Sequence, residues 1–317
     1  MRLVFAGTPT TAVPTLEALL KSRHAVQAVI TRPDAKSGRG QQLGASPVAA
    51  RAEEAGIEVL RPERPGDPEF LARLRQIGPD CCPVTAYGAL IPQEALDIPV
   101  HGWVNLHFSV LPAWRGAAPV QHAILHGDDV TGATTFRIVR ELDAGPVFGV
   151  LTEAIRASDT AGDLLDRLAL AGADLMVATL DGIESGELKA RGQPSGGVSR
   201  APKITPADAE INWHHSAMAI SRLIRACTPE PGAWTELDGA RLKVWPVTPR
   251  GDAHGESGAD AAALGPGELS TQRNRVLVGT ATVPVELGDV QQHAKRRMPA
   301  ADWARGLRLS GHRAVLG

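Results

Sequence analysis

Along the first 150 residues, short apolar runs alternate with stretches whose apolar positions recur every three to four residues. Residues 2–6, 26–31, 57–60, 81–86 and 103–106 are near-continuously apolar, the pattern of strands covered on both faces. Residues 13–20, 47–55 and 70–77 carry helical spacing between them. Strand and helix in repetition predict an α/β fold: a Rossmann-like, mostly parallel sheet with helices on both faces. Pro83 inside the fourth run predicts an edge strand or a bulge, because proline has no N–H to give to a ladder. A further strand is expected over 133–139. A long amphipathic helix is expected over 160–180, with Leu164, Leu165, Leu168, Leu175, Met176 and Leu180 as its apolar positions.

The periodicity is then lost. Residues 189–205, rich in Gly, Pro and Ser, read as a linker. Beyond it a helix over 216–226, strand-like runs at 233–237, 242–246, 276–279 and 281–287, and a helix over 300–305 predict a small C-terminal β-barrel of OB-like type. Asp238-Gly239 between two of these runs predicts a hairpin turn. Residues 251–267, poor in apolar side chains, read as a mobile loop. The division is therefore a first domain over 1–188, a linker over 189–205 and a second domain over 206–317.

Composition changes this picture in three places. The chain has 317 residues, more than one core comfortably supports, which favours two domains. Its three cysteines, two of them adjacent at Cys81 and Cys82, have neither the spacing of a zinc site nor that of a disulfide framework. Cys81 and Cys82 read as buried strand residues, and the three together fit a reducing cytosol. No apolar run reaches the length of a membrane span, and Gly7, Thr8 and Pro9 break the N-terminal run too early for a signal peptide. Residues 1–199 hold 18 Lys and Arg against 23 Asp and Glu, a balance of −5; residues 200–317 hold 15 against 12, or +3, and the two sum to the net −2. The basic C-terminal part is compatible with contacts to phosphates.

Ligands of such sheets bind beyond the carboxyl ends of the strands, so the chemistry is sought after Ala6, Ala86 and Leu106. The turn after Ala6, Gly7-Thr8-Pro9, is neither a dinucleotide fingerprint nor a P-loop. The informative stretch runs from Asn105 to Gly116. Asn105 and His107 stand two apart at the end of an apolar strand, so the pleat puts both on one face. An amide and an imidazole side by side can donate to a developing oxyanion and exchange a proton. Downstream, Asp143 supplies a carboxylate on a turn. Beside the imidazole it is expected to orient the ring and raise its pKa, keeping a proton available near neutrality. Taken alone, each has an ordinary structural reading as turn former, strand-end histidine or turn cap.

The segment NLHFSVLPAWRGAAP, beginning at Asn105, resembles the signature of the folate-dependent formyltransferases. FAGTP at 5–9, RPDAKSGRGQQLGASPV at 32–48, AYG at 86–88, WRGAAPVQ at 114–121 and LDAGPV at 142–147 extend the resemblance. EINW at 210–213, IRA at 224–226 and KVW at 243–245 carry it through nearly the whole chain. It implies Asn105, His107 and Asp143 as the catalytic group, a 10-formyltetrahydrofolate donor and no metal. It implies a pterin cleft at Gly88, Leu90, Ile91, Ser109, Leu111, Pro112, Glu141 and Leu142, and a cis peptide at Leu111-Pro112. The implied acceptor is the amino group of methionine on initiator tRNA. It would be reached by Lys36 and Arg39 of a Gly-rich loop, with Lys203, Lys295, Arg296 and Arg297 on phosphates. Read blandly, that loop and the 295–297 run are solvated surface. Phe108 and Val110 depart from the family pattern and bear on the shape of the donor pocket.

Two other readings share parts of this evidence. A formyltransferase acting on a nucleotide sugar or on glycinamide ribonucleotide would use the same Asn, His and Asp without an RNA-binding extension. A non-catalytic folate or RNA binder would not need all three. An oxidoreductase lacks its nucleotide fingerprint here.

Overall fold

The computed structural model describes residues 1–37, 42–250, 264–272, 274–306 and 315–317. In chain order the first part contains β1 (Arg2–Gly7), α1 (Val13–Lys21), β2 (Ala25–Ile30), β3 (Ala35–Ser37), β4 (Gln42–Gly44), α2 (Pro47–Glu54), β5 (Glu58–Leu60) and α3 (Pro68–Ile77). It continues with β6 (Cys82–Thr85), α4 (Gln93–Leu96), β7 (Trp103–His107), β8 (Arg115–Gly116), α5 (Pro119–His126), β9 (Val130–Arg137), β10 (Val147–Ala154), α6 (Ala161–Ser185) and β11 (Arg200–Ala201). The chain divides into two compact units. The first holds residues 1–119, 130–154 and 165–201; the second holds 120–129, 155–164 and 202–317.

The main sheet of the first unit has seven strands in the order β10-β9-β7-β6-β1-β2-β5. β5, β2, β1, β6 and β7 run parallel, β9 adds antiparallel to β7, and β10 adds antiparallel to β9. The carboxyl ends of β1, β2, β6 and β7, beyond Gly7, Ile30, Thr85 and His107, therefore lie at one edge of the sheet, where ligands of such sheets bind. Helices cover both faces. On one, Phe70, Leu71 and Leu74 of α3 pack with Val4, Val84 and Trp103. On the other, Gly172 of α6 lies so close to Leu106 that a Cβ there would come within 2.8 Å of its side chain. α3 shows how local signals set an element. Asp67 precedes it, Pro68 opens it where no N–H is missed, and Gly78 closes it at φ 58° with its N–H on the Leu74 carbonyl.

Two expectations are corrected. Pro83 lies in β6, an interior strand between β1 and β7, and not at an edge. It faces Val104 of β7, whereas the ladder to β1 is taken up by Val84 and Thr85. A parallel strand tolerates one proline where its N–H would have served one side only. Residues 189–201 are not free of the first unit either. Arg191 bridges to Val147, and β11 pairs in parallel with β8. The added strand β10, which alternates half-buried and exposed positions at its end, was not legible as a buried run.

The second unit contains α7 (Ala217–Ala226), β12 (Trp234–Leu237), β13 (Ala240–Val244), β14 (Thr248–Pro249), β15 (Leu269–Gln272), β16 (Arg275–Val278), β17 (Val285–Glu286), β18 (Asp289–Gln292), β19 (Met298–Pro299) and α8 (Ala300–Gly306). Its strands form two antiparallel four-stranded sheets, β12-β13-β18-β19 and β14-β17-β16-β15, consistent with a small barrel. Ile220, Trp213, Leu242, Val278, Val290 and Trp303 belong to its own core. The hairpin expected at Asp238-Gly239 joins β12 to β13, with both turn residues left-handed at φ 52° and 74°. The loop expected over 251–267 falls largely outside the described residues. No helix among those described is long and apolar enough to cross a membrane.

Cys81, Cys82 and Cys227 are free and buried. Burial pushes their thiols up, Cys81 to about 12 and Cys227 to about 11, and Cys82 well above its ordinary value. Native protein exposed to an aromatic disulfide at pH 8 should therefore release almost no thiolate over minutes, and three equivalents after denaturation. Rapid reaction of the native protein would contradict this packing.

Candidate active site

β7 places Asn105 and His107 on the face shared with Trp103, whose indole N–H donates to the Ala95 carbonyl at 2.8 Å. Asn105 is half-buried, and its amide makes no hydrogen bond among the described residues. His107 is buried. Its Nε2 lies 2.9 Å from the Trp114 carbonyl oxygen. A carbonyl only accepts, so Nε2 carries the proton and the neutral ring keeps its lone pair on Nδ1. Nδ1 stands 3.8 Å from Asp143 Oδ2. The same oxygen accepts from the Gly116 amide at 2.8 Å. The three residues picked from the sequence are thus brought to one place, Asp143 at φ 50° on the loop over 138–146.

The effect of Asp143 on the imidazole needs correction. Its charge does favour the protonated ring, as does the bond to Trp114, but burial acts the other way and is larger. The His107 pKa is lowered, so near neutrality the ring is neutral and Nδ1 is a proton acceptor.

The turn after β7 is held from within. Ser109 Oγ donates to the Ala113 carbonyl at 2.6 Å, and Thr134 Oγ1 donates to the Ser109 carbonyl at 2.6 Å. Leu111-Pro112 is cis, as the resemblance implies. Ser109, Leu111 and Phe108 are buried, so Phe108 packs into the protein. Pro112 is half-buried. On the neighbouring strand end, Thr8 Oγ1 donates to the Tyr87 carbonyl at 2.8 Å, fastening the FAGTP turn to the loop that holds Gly88. Gly88 has φ 85°, and Ile91 is half-buried. Leu90 and Leu142, on the loops after β6 and β9, are 80% and 54% exposed. Glu141 is exposed and lies 3.6 Å from Arg115.

Two glycines here are close approaches of backbone. A Cβ on Gly145 would sit 1.7 Å from the Arg137 carbonyl oxygen, and one on Gly116, at φ 129°, 2.5 Å from that of Ala201. Both keep the Asp143 loop and β8 against their neighbours. Sequence reasoning missed Gln193 and Ser199, which hold this assembly from the stretch read as linker. Ser199 Oγ accepts from the Trp114 amide at 2.8 Å. Nothing in a Gly- and Ser-rich run marks which polar side chain will meet a loop fifty residues away.

Lys36 belongs to the backbone hairpin β3–β4, and Arg39 lies outside the described residues. Lys203, Lys295 and Arg296 are exposed in the second unit. Arg297 is engaged, with Nε donating to Asp289 at 2.7 Å and its guanidinium over the Trp245 ring at 4.9 Å.

Comparison with known proteins follows the same division. Residues 1–180 match the formyl transferase family and residues 203–308 its C-terminal domain. The chain is 64% identical to a methionyl-tRNA formyltransferase of Nocardioides sp., covering 98% of this chain and 96% of that one. It is 65% identical to that of Thermobifida fusca, covering 98% and 97%. Among solved structures, HypX from Aquifex aeolicus in complex with tetrahydrofolic acid superposes with a TM-score of 0.64 at 18% identity, a likeness of fold. The match covers 98% of this chain and 47% of that one, so the chain spans about half of HypX. With identities this high over nearly its full length, the chain belongs to the methionyl-tRNA formyltransferase family.

Proposed function

We propose that this protein transfers the formyl group of 10-formyltetrahydrofolate to the amino group of methionine carried by initiator tRNA, for translation initiation in the cytoplasm. The observation that carries the reading is the His107 ring, with its proton held on Nε2 by Trp114 and its Nδ1 open beside Asn105 and Asp143. The family membership names the reaction; this geometry can perform it.

The donor supplies a formyl group on a nitrogen that can leave. Asn105 donates its amide N–H to the formyl oxygen as negative charge builds there. His107 Nδ1 accepts the proton of the attacking amine as the new N–C bond forms. Asp143 stabilises the imidazolium across 3.8 Å. As the donor's C–N bond breaks, His107 returns the proton to the departing nitrogen and is neutral again. Leu90 and Leu142 suit the faces of a flat heterocycle, with the backbone at Gly88, Ile91, Pro112 and Glu141 for its polar edge. Ser109 and Leu111 shape the turn from beneath. We assign Lys36 and Arg39 to the acceptor end of the tRNA, and Lys203, Lys295 and Arg296 to phosphates. Arg297 contributes from its ion pair. The basic balance of residues 200–317 supports giving that stretch of the chain this task.

Incubation with 10-formyltetrahydrofolate and methionine-charged initiator tRNA should yield formyl-methionine. Glycinamide ribonucleotide and amino sugar nucleotides should remain unformylated; the reverse preference would overturn the acceptor. Asn105→Ala, His107→Ala and Asp143→Ala should each lower kcat by about 10²-fold or more with the fold intact. A folded variant with wild-type turnover would remove that residue from the chemistry.

The pH dependence follows from the sign of the His107 shift. A base with a lowered pKa stays competent below the ordinary imidazole value of 6.5, so the acid limb of kcat should lie beneath it. In Asp143→Asn the charge opposing burial is gone, and the limb of the residual activity should move lower still. A limb above 6.5 would contradict the burial argument.

Arg39→Ala should impair turnover with charged tRNA and leave donor affinity unchanged. Lys295→Ala combined with Arg296→Ala should weaken tRNA binding and flatten its dependence on salt, since each lost phosphate contact lowers the slope by about one. Equal affinity and slope would remove Lys295 and Arg296 from RNA recognition.

A further inference from the structure

The side-chain amide of Gln193 makes four hydrogen bonds. Its Nε2 donates to the carbonyls of Asp143 and Gly145, each at 2.8 Å. Its Oε1 accepts from Arg115 at Nε, 3.1 Å, and at Nη2, 2.7 Å. Both donors and both lone pairs of the amide are used, so the group has one orientation. It joins two pieces of backbone that flank His107: the loop that carries Asp143, and β8, whose Gly116 amide donates to the Asp143 carboxylate. Asp143 sits at φ 50°, in the left-handed region that aspartate tolerates better than most side chains. Gln193 itself is anchored by the bridge of Arg191 to Val147 and by β11 alongside β8.

We infer that Gln193 is a positioning residue for formyl transfer, holding the Asp143 carboxylate against the Gly116 amide and beside His107 Nδ1. Without its two donors, the carbonyls of Asp143 and Gly145 lose their partner and the loop is free to carry the carboxylate away. A displacement of about 1 Å at a group of this kind costs on the order of 10²-fold in rate. The charges around His107 limit how the effect is read. Among the described residues, Asp143 is the charge that acts on the ring. Phe136 on β9 presents an uncharged ring at 6.4 Å, and Arg115 and Glu141 are paired with each other at 3.6 Å.

The test uses the full chain with Gln193→Met, which keeps the length of the side chain and removes its hydrogen bonds, and Gln193→Ala. The His107 ring is followed by ¹⁵N NMR through a pH titration, without substrate, and kcat and KM are measured with both substrates. Both variants should titrate His107 at lower pH than the wild type, because the carboxylate that favours its charged form is no longer held. Turnover should fall roughly 10- to 100-fold while each KM changes less than twofold. In an Asp143→Asn background, Gln193→Met should shift the His107 titration no further. An unmoved titration, or an equal shift in the Asp143→Asn background, would overturn the inference. A Gln193→Ala protein that unfolds leaves the decision with Gln193→Met. The inference rests on the proposed formyl transfer only in its rate measurement. A wild type without that activity would refute the proposed function, and the titration would still decide the role of Gln193.

Discussion

The hydrogen bond from His107 Nε2 to the Trp114 carbonyl is the constraint around which the first unit is arranged. It determines which ring nitrogen carries the proton and therefore which one can accept another. A buried imidazole at the end of a strand would otherwise be free to choose its tautomer. To offer that carbonyl, Trp114 adopts φ 58°, and its own amide is taken by Ser199. The next residues form β8, which is secured by β11 and supplies the amide that holds Asp143. Tautomer, carboxylate and supporting strand form one connected set.

Electrostatics completes it in a direction opposite to simple pairing. A carboxylate 3.8 Å from a ring nitrogen favours imidazolium, and the solvent-poor interior disfavours it. Burial is the larger effect, so the resting ring is neutral, while the nearby carboxylate reduces the cost of protonating it during reaction. The same two influences that set the resting state therefore make its change of charge affordable. Asn105, half-buried, stands on the same strand face, and among the described residues its amide has no hydrogen-bond partner to give up first.

The two units follow different rules of construction. In the first, parallel order brings the carboxyl ends of β1, β2, β6 and β7 to one edge, and short polar links such as Thr8 to Tyr87 fasten the loops there. In the second, antiparallel sheets close around an apolar interior, and basic side chains remain outside it. Lys203, Lys295, Arg296 and Arg297 are all exposed, but Arg297 is also paired with Asp289. A run of like charges in the sequence is thus not a run of equivalent contacts.

Periodicity was enough to read the parallel strands, most helices and the hairpin at Asp238-Gly239, because each is set by local spacing and turn chemistry. Asn105 and His107 were legible on one face for the same reason: the pleat is a local property. That Asp143 joins them was suggested by resemblance, since no local rule brings a residue 36 positions beyond His107 to its side. Pro83 was misread because the pattern shows a missing N–H but not which neighbour would have used it. The direction of the His107 shift was misread because burial, which outweighs the paired charge, is the sum of contacts from the whole unit. Gln193 was invisible because its amide gains meaning only where β11, β8 and the Asp143 loop meet. Spacing along the chain governs what one element can do alone; hydrogen bonds and desolvation between distant segments exist only once the chain has packed.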